Sequence, residues 1–172
     1  MSAQPQDRIR AFDDMRAAPL HVALVEPEIP PNTGNVARLC AATGCALHLI
    51  EPLGFRIDDR ELKRAGLDYW HALGIVMHAS LAAFLETTSN ERRWFFSTHA
   101  ARRYTTANFQ RGDFLIFGKE TKGLPSAVIV QYAERALRIP MRTGNVRSIN
   151  LSNAVSIATY AALSALGFPA LD

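Results

Sequence analysis

The stretch RIPMRTGNVRSINLSNAVSIATYAALSAL, residues 138–166, joins the end of an apolar strand pattern to a long apolar helix through a polar loop. Six polar side chains crowd this junction: Asn145, Arg147, Ser148, Asn150, Ser152 and Asn153. One Ser or Asn is enough to cap a helix, so the others exceed what capping requires. They can arrange loop amides and carbonyls around a bound group, and Arg147 can meet an anion. The stretch therefore predicts a helix over 150–166 preceded by a ligand-binding loop.

Tyr160 follows Asn153 by seven residues, which is two helical turns, so it lies near the same helix face. Two interpretations stay open at this point. The tyrosine either reaches the ligand or is a buried aromatic residue whose hydroxyl is satisfied, which is the more common case.

Upstream of this junction, apolar runs of strand length alternate with helical patterns. The runs predict strands over 20–26, 45–51, 74–79, 93–98, 113–118 and 136–140. The helical patterns predict helices over 34–43, 59–65, 80–87, 125–132 and 150–166. Such alternation is typical of βαβ units, so we expect an α/β fold whose mostly parallel sheet carries helices on both faces.

Two further loops follow predicted strands, where open α/β sheets bind their ligands. In EPEIPPNTGN (26–35), Pro30 and Pro31 are expected to hold the chain extended, so that Asn32 or Thr33 caps a helix beginning at Gly34. The start of that helix, with Arg38 one turn along, is an anion site. The alternative is an ordinary capped helix with a solvated arginine.

In FGKETKGLP (117–125), Gly118 follows the strand directly and would let the main chain approach a flat ligand. Gly123 permits a turn, and Pro125 suits the first position of the next helix. Glu120 can accept hydrogen bonds from loop amides or from a ligand hydroxyl. A tight turn explains the same residues equally well.

The composition of the 172 residues, 48% hydrophobic and 20% charged, is that of one soluble globular domain. No apolar run reaches the length of a membrane span. The N-terminal MSAQPQDRIRAFDDMR lacks the apolar core of a signal peptide, so we expect a cytoplasmic protein. We expect residues 1–19 to be a loosely attached extension and residues 20–172 to be the domain.

The charge pattern indicates a phosphate-bearing partner. Lys63, Lys119 and Lys122 are lysines, and the other 16 of the 19 basic residues are arginines, whose planar guanidinium grips phosphate oxygens in pairs. A GC-rich genome would produce the same bias. Cys40 and Cys45 support neither a disulfide framework nor a zinc site, so we expect two small core residues and no bound metal. The chain also lacks GxGxxG, P-loop, GxSxG and HExxH motifs.

Three segments together resemble, in order and spacing, the signature motifs of the SPOUT superfamily of RNA methyltransferases. They are EPEIPPNTGNVARLCAATG (26–44), FGKETKGLP (117–125) and RSINLSNAVSIATY (147–160). The resemblance extends from about Leu20 to Phe168 and is strongest to the small bacterial enzymes that methylate the ribose 2′-oxygen at the tRNA wobble nucleotide. GLDYWHAL (66–73) is also similar to that subfamily.

The resemblance implies a minimal SPOUT domain with a deep C-terminal trefoil knot over roughly 93–166. It implies bound S-adenosylmethionine, released as S-adenosylhomocysteine, with no metal. It also implies a homodimer whose active site combines both chains. Carried over by position, the cofactor contacts are Phe96, Gly118, Glu120, Ile139, Ser148 and Asn153.

The resemblance further places Arg38, Asn35, Arg147 and Tyr160 near the ribose and phosphate of the substrate. The implied substrate is tRNA carrying C34 or a modified U34, with leucine tRNAs expected. The alternatives are a SPOUT enzyme acting on ribosomal RNA or another tRNA position, and a catalytically silent RNA-binding protein. His99 and Val146 depart from relatives, which often have lysine and serine there. Histidine is mostly neutral at physiological pH, so a phosphate contact at His99 would be weaker.

Overall fold

A seven-stranded parallel sheet forms the centre of the computed structural model, which describes residues 10–56, 73–142 and 144–171. The strand order is β3-β2-β1-β6-β4-β7-β5. The strands are β1 (His21–Val25), β2 (Ala46–Ile50), β3 (Ile75–His78), β4 (Arg93–Phe96), β5 (Arg102–Arg103), β6 (Phe114–Phe117) and β7 (Ala136–Arg138). Each neighbouring pair runs parallel, so the loops that follow the strands collect at one edge of the sheet.

Within the described ranges, four α-helices cover both faces of this sheet: α1 (Pro30–Thr43), α2 (Leu81–Thr87), α3 (Ser126–Gln131) and α4 (Leu151–Ala165). Alternate strand residues point to opposite faces. Val22 and Leu24 pack with α1 and α4 in one core, whereas Ala23 and Val25 pack with α2 and α3 in a second core. The predicted α/β architecture with a mostly parallel sheet and helices on both faces is confirmed.

The six predicted strands and four of the predicted helices are present with ends shifted by a few residues. Strand β5 was not expected, because two consecutive arginines carry no apolar pattern. Pro125 caps α3 from outside and is not its first residue. The helix predicted over 59–65 and most of the GLDYWHAL segment lie outside the described residues.

The start of α1 differs from the expected one. The helix begins at Pro30 and includes both prolines, and its N-cap, Ile29, makes no side-chain capping bond. Proline is tolerated in the first helical turn because the N–H that it lacks has no partner there. The prediction that Asn32 or Thr33 caps a later helix is therefore wrong, and both side chains are buried inside the first turns.

The N-terminal segment packs closely against the sheet in its described part. Phe12–Met15 form a turn of 3-10 helix, and the Phe12 ring lies 5.6 to 5.8 Å from the rings of His21, His48 and Phe114. Packing thus starts upstream of the boundary expected at Leu20. This differs from a loosely attached extension, since one aromatic side chain anchors the segment to the core.

Asp113 holds together the end of the sheet at which β6 begins. Its carboxylate is fully buried and accepts hydrogen bonds from Arg92 Nε at 2.7 Å, Trp94 Nε1 at 2.7 Å and the Gln110 N–H at 2.8 Å. A buried carboxylate without such donors would cost several kcal/mol, roughly the scale of the whole stability of a small domain. Asp113 therefore ties β4 to β6.

Three buried histidines form a hydrogen-bonded row across β1, β2 and β3. His21 Nδ1 lies 2.9 Å from His48 Nε2, and His48 Nδ1 lies 3.0 Å from His78 Nε2. Burial lowers the pKa of His21 to about 4 and lowers the pKa of His48 well below its ordinary value. Burial also lowers the pKa of His78. The row is therefore neutral at physiological pH.

We expect the free energy of unfolding to fall as the pH drops from about 6.5 toward 4. Histidines of the unfolded chain take up protons near the upper value, whereas the buried row does not, so the unfolded state binds more protons in that window. For one fully buried histidine the loss at about pH 5 is about 2 kcal/mol. Urea unfolding followed between about pH 7.5 and pH 5 measures it.

Two variants locate the origin of this pH dependence. His99→Gln replaces an exposed histidine and should keep the full dependence. His48→Leu removes the central ring and should reduce the dependence, while His21 and His78 keep part of it. Equal pH dependence in wild type and His48→Leu would contradict the assignment to the buried row.

Cys40 and Cys45 are buried and unpaired, as predicted for small core residues, and burial raises the pKa of both thiols.

In the part of the chain that the structure describes, none of the helices has the length and apolar character needed to cross a bilayer.

Candidate functional site

A cleft of about 840 Å³ opens at the carboxyl ends of β4, β6 and β7. Residues of four loops line it: 97–99 after β4, 118–123 after β6, 139, 141 and 147–150 between β7 and α4, and Ile29 after β1. Small-molecule sites usually occupy roughly 300–1,000 Å³ and sit at this edge of parallel sheets. The three loops that the sequence analysis singled out are the one after β1 and the two after β6 and β7, and each contributes residues to the cleft.

One wall of the cleft is apolar and rigid. The rings of Phe96 and Phe117 stack with centroids 4.7 Å apart, and both side chains are buried. Ile139 and Leu151 extend the same wall. Such a wall suits a flat heterocycle, because stacking and burial of its faces are favourable.

Glu120 joins the loop after β6 to the loop after β1. Its Oε2 accepts from the Glu28 N–H at 2.8 Å, and its Oε1 accepts from the Ile29 N–H at 3.2 Å and from Asn32 Nδ2 at 3.0 Å. Both carboxylate oxygens therefore serve loop amides, one of the two uses expected from the sequence. The same two loops are joined a second time, because the Glu28 carboxylate accepts hydrogen bonds from the Thr121 N–H and from the Thr121 hydroxyl, both at 3.1 Å.

Asn150 extends this network to the third loop. Its Nδ2 donates to Asn32 Oδ1 at 3.0 Å, and its Oδ1 accepts from the Ser152 N–H at 2.9 Å and from the Asn153 N–H at 3.4 Å. Asn150 is thus the N-cap of α4 and also the tie between α4 and α1. Since a single residue caps the helix, Arg147 and Ser148, which line the cleft, are not needed as caps.

The role expected for Gly118 is corrected by its surroundings. A Cβ at Gly118 would lie 2.0 Å from the carbonyl carbon of Gly123 and 2.1 Å from the Leu124 nitrogen. The missing side chain therefore makes room for the chain's own backbone, which turns back at Gly123 with φ +66°. Glycine is needed here to close the loop, and the loop in turn forms one side of the cleft.

The residues carried over as cofactor contacts separate into two groups. Those that line the cleft are Phe96, Gly118, Glu120, Ile139 and Ser148. Asn153 does not line it, since it lies exposed in the first turn of α4. Of the two departures from relatives, His99 lines the cleft, whereas Val146 is exposed to solvent.

The four residues carried over as catalytic also separate. Arg147 lines the cleft. Asn35 and Arg38 lie on the exposed face of α1, and Tyr160 lies on α4, where it is 49% exposed. Tyr160 is therefore not a buried core residue, and within one chain these three side chains do not line the cleft.

Several cleft residues were not expected from the sequence. Asn32 had been interpreted only as a helix cap, and Thr98, Lys122 and Met141 were not singled out, although Lys122 and Met141 lie within the stretches described above. Lys119 also lines the cleft. A hydrogen bond to Glu26, with Nζ to Oε2 at 2.6 Å, raises the pKa of this lysine. Among the described residues, no three His, Cys, Asp or Glu side chains come together to hold a metal ion.

Known proteins resemble this chain in family, in sequence and in fold. The model of the SpoU rRNA Methylase family matches residues 19–160. A tRNA (cytidine(34)-2′-O)-methyltransferase from Saccharophagus degradans is 50% identical over 149 residues, which cover 86% of this chain and 96% of that protein.

Solved structures share the fold. One, from work on the 2-OH methylation of C/U34 on tRNA, is 48% identical with a TM-score of 0.81, covering 86% of this chain and 96% of its own. An AdoMet-bound rRNA methyltransferase from Sinorhizobium meliloti is 23% identical with a TM-score of 0.81, covering 92% of this chain and 62% of that one. The second likeness extends to the fold alone.

Proposed function

Because this chain belongs to the SpoU rRNA Methylase family, we propose that it transfers a methyl group from S-adenosylmethionine to the ribose 2′-oxygen of the tRNA wobble nucleotide. The observation that carries the proposal is the relative from Saccharophagus degradans, which is 50% identical along nearly its full length and is named for this reaction. The proposed substrates are tRNAs with C34 or a modified U34, leucine tRNAs in particular. The proposed location is the cytoplasm, where tRNA is processed.

The cleft fits the cofactor in size and in chemistry. Its stacked Phe96 and Phe117 suit the adenine ring. The backbone N–H groups of Ser148 and Ile149 donate to no other group of the described chain, so they are available to a ligand. We propose that Phe96, Gly118, Ile139 and Ser148 hold the cofactor, with Glu120 holding the loop after β6 against the loop after β1. The sulfonium of the bound cofactor supplies an already activated methyl group.

The proposed roles of the remaining residues are to align and polarise the ribose hydroxyl. A guanidinium stays protonated in proteins and is a poor base. Arg38 and Arg147 therefore act by positioning the acceptor and stabilising developing negative charge, with Asn35 and Tyr160 as further hydrogen-bonding groups.

We propose that two copies of the chain complete each active site. The support is that the four proposed catalytic residues do not share one site within a single chain. Arg147 lines the cleft, whereas Asn35, Arg38 and Tyr160 lie on outer faces of α1 and α4. A second copy packed on these faces would bring its Arg38 to the partner's cleft. Light scattering of the purified protein tests this proposal, and a monomer that methylates tRNA at full rate would overturn it.

The resemblance also leads us to propose the deep trefoil knot over roughly 93–166. The likeness in fold to the structures of related methyltransferases supports it. General topology alone would argue against it, since true knots are rare.

Arg38→Lys is expected to lower kcat by about 100-fold while cofactor affinity stays unchanged. Lysine keeps the charge but loses the planar fork that grips two oxygens at once. Turnover assays on tRNA, with calorimetric titration of S-adenosylmethionine, measure both quantities. Near-native turnover of the lysine variant would show that bidentate positioning by Arg38 is not needed.

The decisive experiment methylates purified tRNAs from a strain lacking the enzyme and maps the modified ribose. We expect a single 2′-O-methyl group at nucleotide 34. Modification of ribosomal RNA or of another tRNA position instead would overturn the substrate assignment. Absence of any heat with S-adenosylmethionine or S-adenosylhomocysteine would favour a catalytically silent RNA-binding protein.

A further inference from the structure

The positive charge of this protein is concentrated in one part of the chain. Residues 98–147 contain nine Lys or Arg and three Asp or Glu, a formal charge of +6, whereas the whole chain carries +3. The segment includes β5, β7, the cleft loop that follows β6, and parts of those that follow β4 and β7. The rest of the protein is therefore net negative, so the net positive charge belongs to the segment that supplies much of the cleft lining.

Several arginines near β4 and β5 are engaged within the fold. Arg92 pairs with the buried Asp113, Arg93 donates to the Leu85 carbonyl at 2.8 Å, and Arg102 donates to the Glu134 carbonyl. The guanidinium groups of Arg92, Arg102 and Arg135 also lie 4.7 to 5.8 Å from the Trp94 ring centroid. Arg92, Arg93 and Arg102 thus have structural partners, which separates them from the arginines left to bind RNA.

Arg103 and Arg138 differ from that group. They are register partners on β5 and β7, both are exposed, and neither forms an ion pair with an acidic side chain of the described residues. Neighbouring strands lie about 4.8 Å apart, and register partners project on the same face. Two like charges side by side destabilise a sheet unless an anion lies between or across them.

The position of this pair connects it to the cleft. Arg138 directly precedes Ile139, which lines the cleft, and β5 follows the cleft-lining loop that contains His99. Arg142, also exposed, lies between Arg138 and Arg147 in the sequence. β5 is the outermost strand of the sheet in the described residues, and none of the other described strands covers the pair from that side.

We propose that Arg103 and Arg138, continued by Arg142, form a phosphate-binding edge on which the RNA backbone lies while its target nucleotide enters the cleft. The proposal rests on the proposed function, because it takes tRNA as the ligand. It deepens that function by assigning the contacts that hold the RNA outside the reaction centre. Paired guanidinium groups suit the oxygens of one phosphate or of two consecutive phosphates.

The test compares tRNA binding by the double variant Arg103→Gln/Arg138→Gln with that by wild type over a range of salt concentrations. Losing two phosphate contacts should weaken binding at least tenfold and reduce the slope of log affinity against log salt by about two. Affinity for S-adenosylmethionine should not change. Arg103→Lys/Arg138→Lys keeps both charges and should retain most of the salt slope.

Arg111→Gln is a single-charge control, since it removes one exposed arginine that precedes β6, at the opposite end of the sheet, and it should leave both the affinity and the salt slope close to those of wild type. If the double variant binds tRNA with the affinity and salt slope of this control, the proposed edge is wrong. The proposed function fails separately: wild type would then bind tRNA in a salt-dependent manner yet methylate none. Wild type that does not bind tRNA at all would overturn the edge as well.

Discussion

Gly118→Ala is expected to abolish detectable methyl transfer and to lower the free energy of unfolding by about 3 kcal/mol. The added methyl group would lie 2.0 to 2.1 Å from backbone atoms of Gly123 and Leu124, a distance that no rotamer change relieves. The loop after β6 must then move, and Lys119, Glu120 and Lys122 move with it. Urea unfolding and calorimetric titration of S-adenosylmethionine measure the two effects.

Gly112→Ala is the control for this substitution. Gly112 precedes the same strand at its other end, and a Cβ there meets no atom within 4 Å, although φ is +82°. Alanine should therefore cost about 1 kcal/mol of backbone strain and leave turnover per folded molecule intact. If Gly118→Ala bound the cofactor as tightly as wild type, the close backbone approach would not be what shapes the cleft.

Glu120→Gln is expected to lower kcat/KM by about 100-fold, chiefly through weaker binding of the cofactor. The carboxylate accepts hydrogen bonds from three donors in the loop after β1 and the first turn of α1. The side-chain amide of glutamine would have to turn its own N–H groups toward at least one of these donors. One buried donor left without an acceptor costs about 1–3 kcal/mol. Calorimetry of S-adenosylmethionine binding and steady-state kinetics separate the effect on KM from that on kcat.

Glu134→Gln removes an equal charge from an exposed carboxylate and should change neither quantity. Glu120 is a positioning residue in this interpretation, because it acts by holding the loop after β6 against the loop after β1 and the start of α1. A Glu120→Gln enzyme that bound cofactor normally and lost only turnover would instead place the carboxylate in the chemistry.

Much of the fold was predictable because apolar runs report strands that are buried on both faces. Runs such as LHVALVE and DFLIFG are of this kind, and β1 and β6 lie within them. The Arg102–Arg103 strand was not predictable, because its pairing depends on β7 and not on its own pattern. The first turn of α1 was misplaced because two prolines favour both an extended loop and a helix start.

The cleft was predictable as a set of loops but not as a network. Polar residues in excess of capping needs pointed to the loop before α4, and Asn150 and Ser148 lie there. The bonds from Glu120 to Asn32 and from Asn150 to Asn32 join residues 88 and 118 positions apart. No local pattern encodes such pairs, since they depend on how β1 and β6 meet in the sheet.

The location of Asp113 implies that substitutions can affect the amount of folded protein separately from the activity of each molecule. Its buried contacts to Arg92 and Trp94 lie at the end of the sheet remote from the cleft, so substitutions there should reduce how much folded enzyme a cell accumulates while each surviving molecule works normally. Substitutions of cleft side chains such as Glu120 should instead lower the activity of each molecule. Measuring the abundance of each variant together with its methyl-transfer activity per molecule would therefore distinguish the two kinds of substitution.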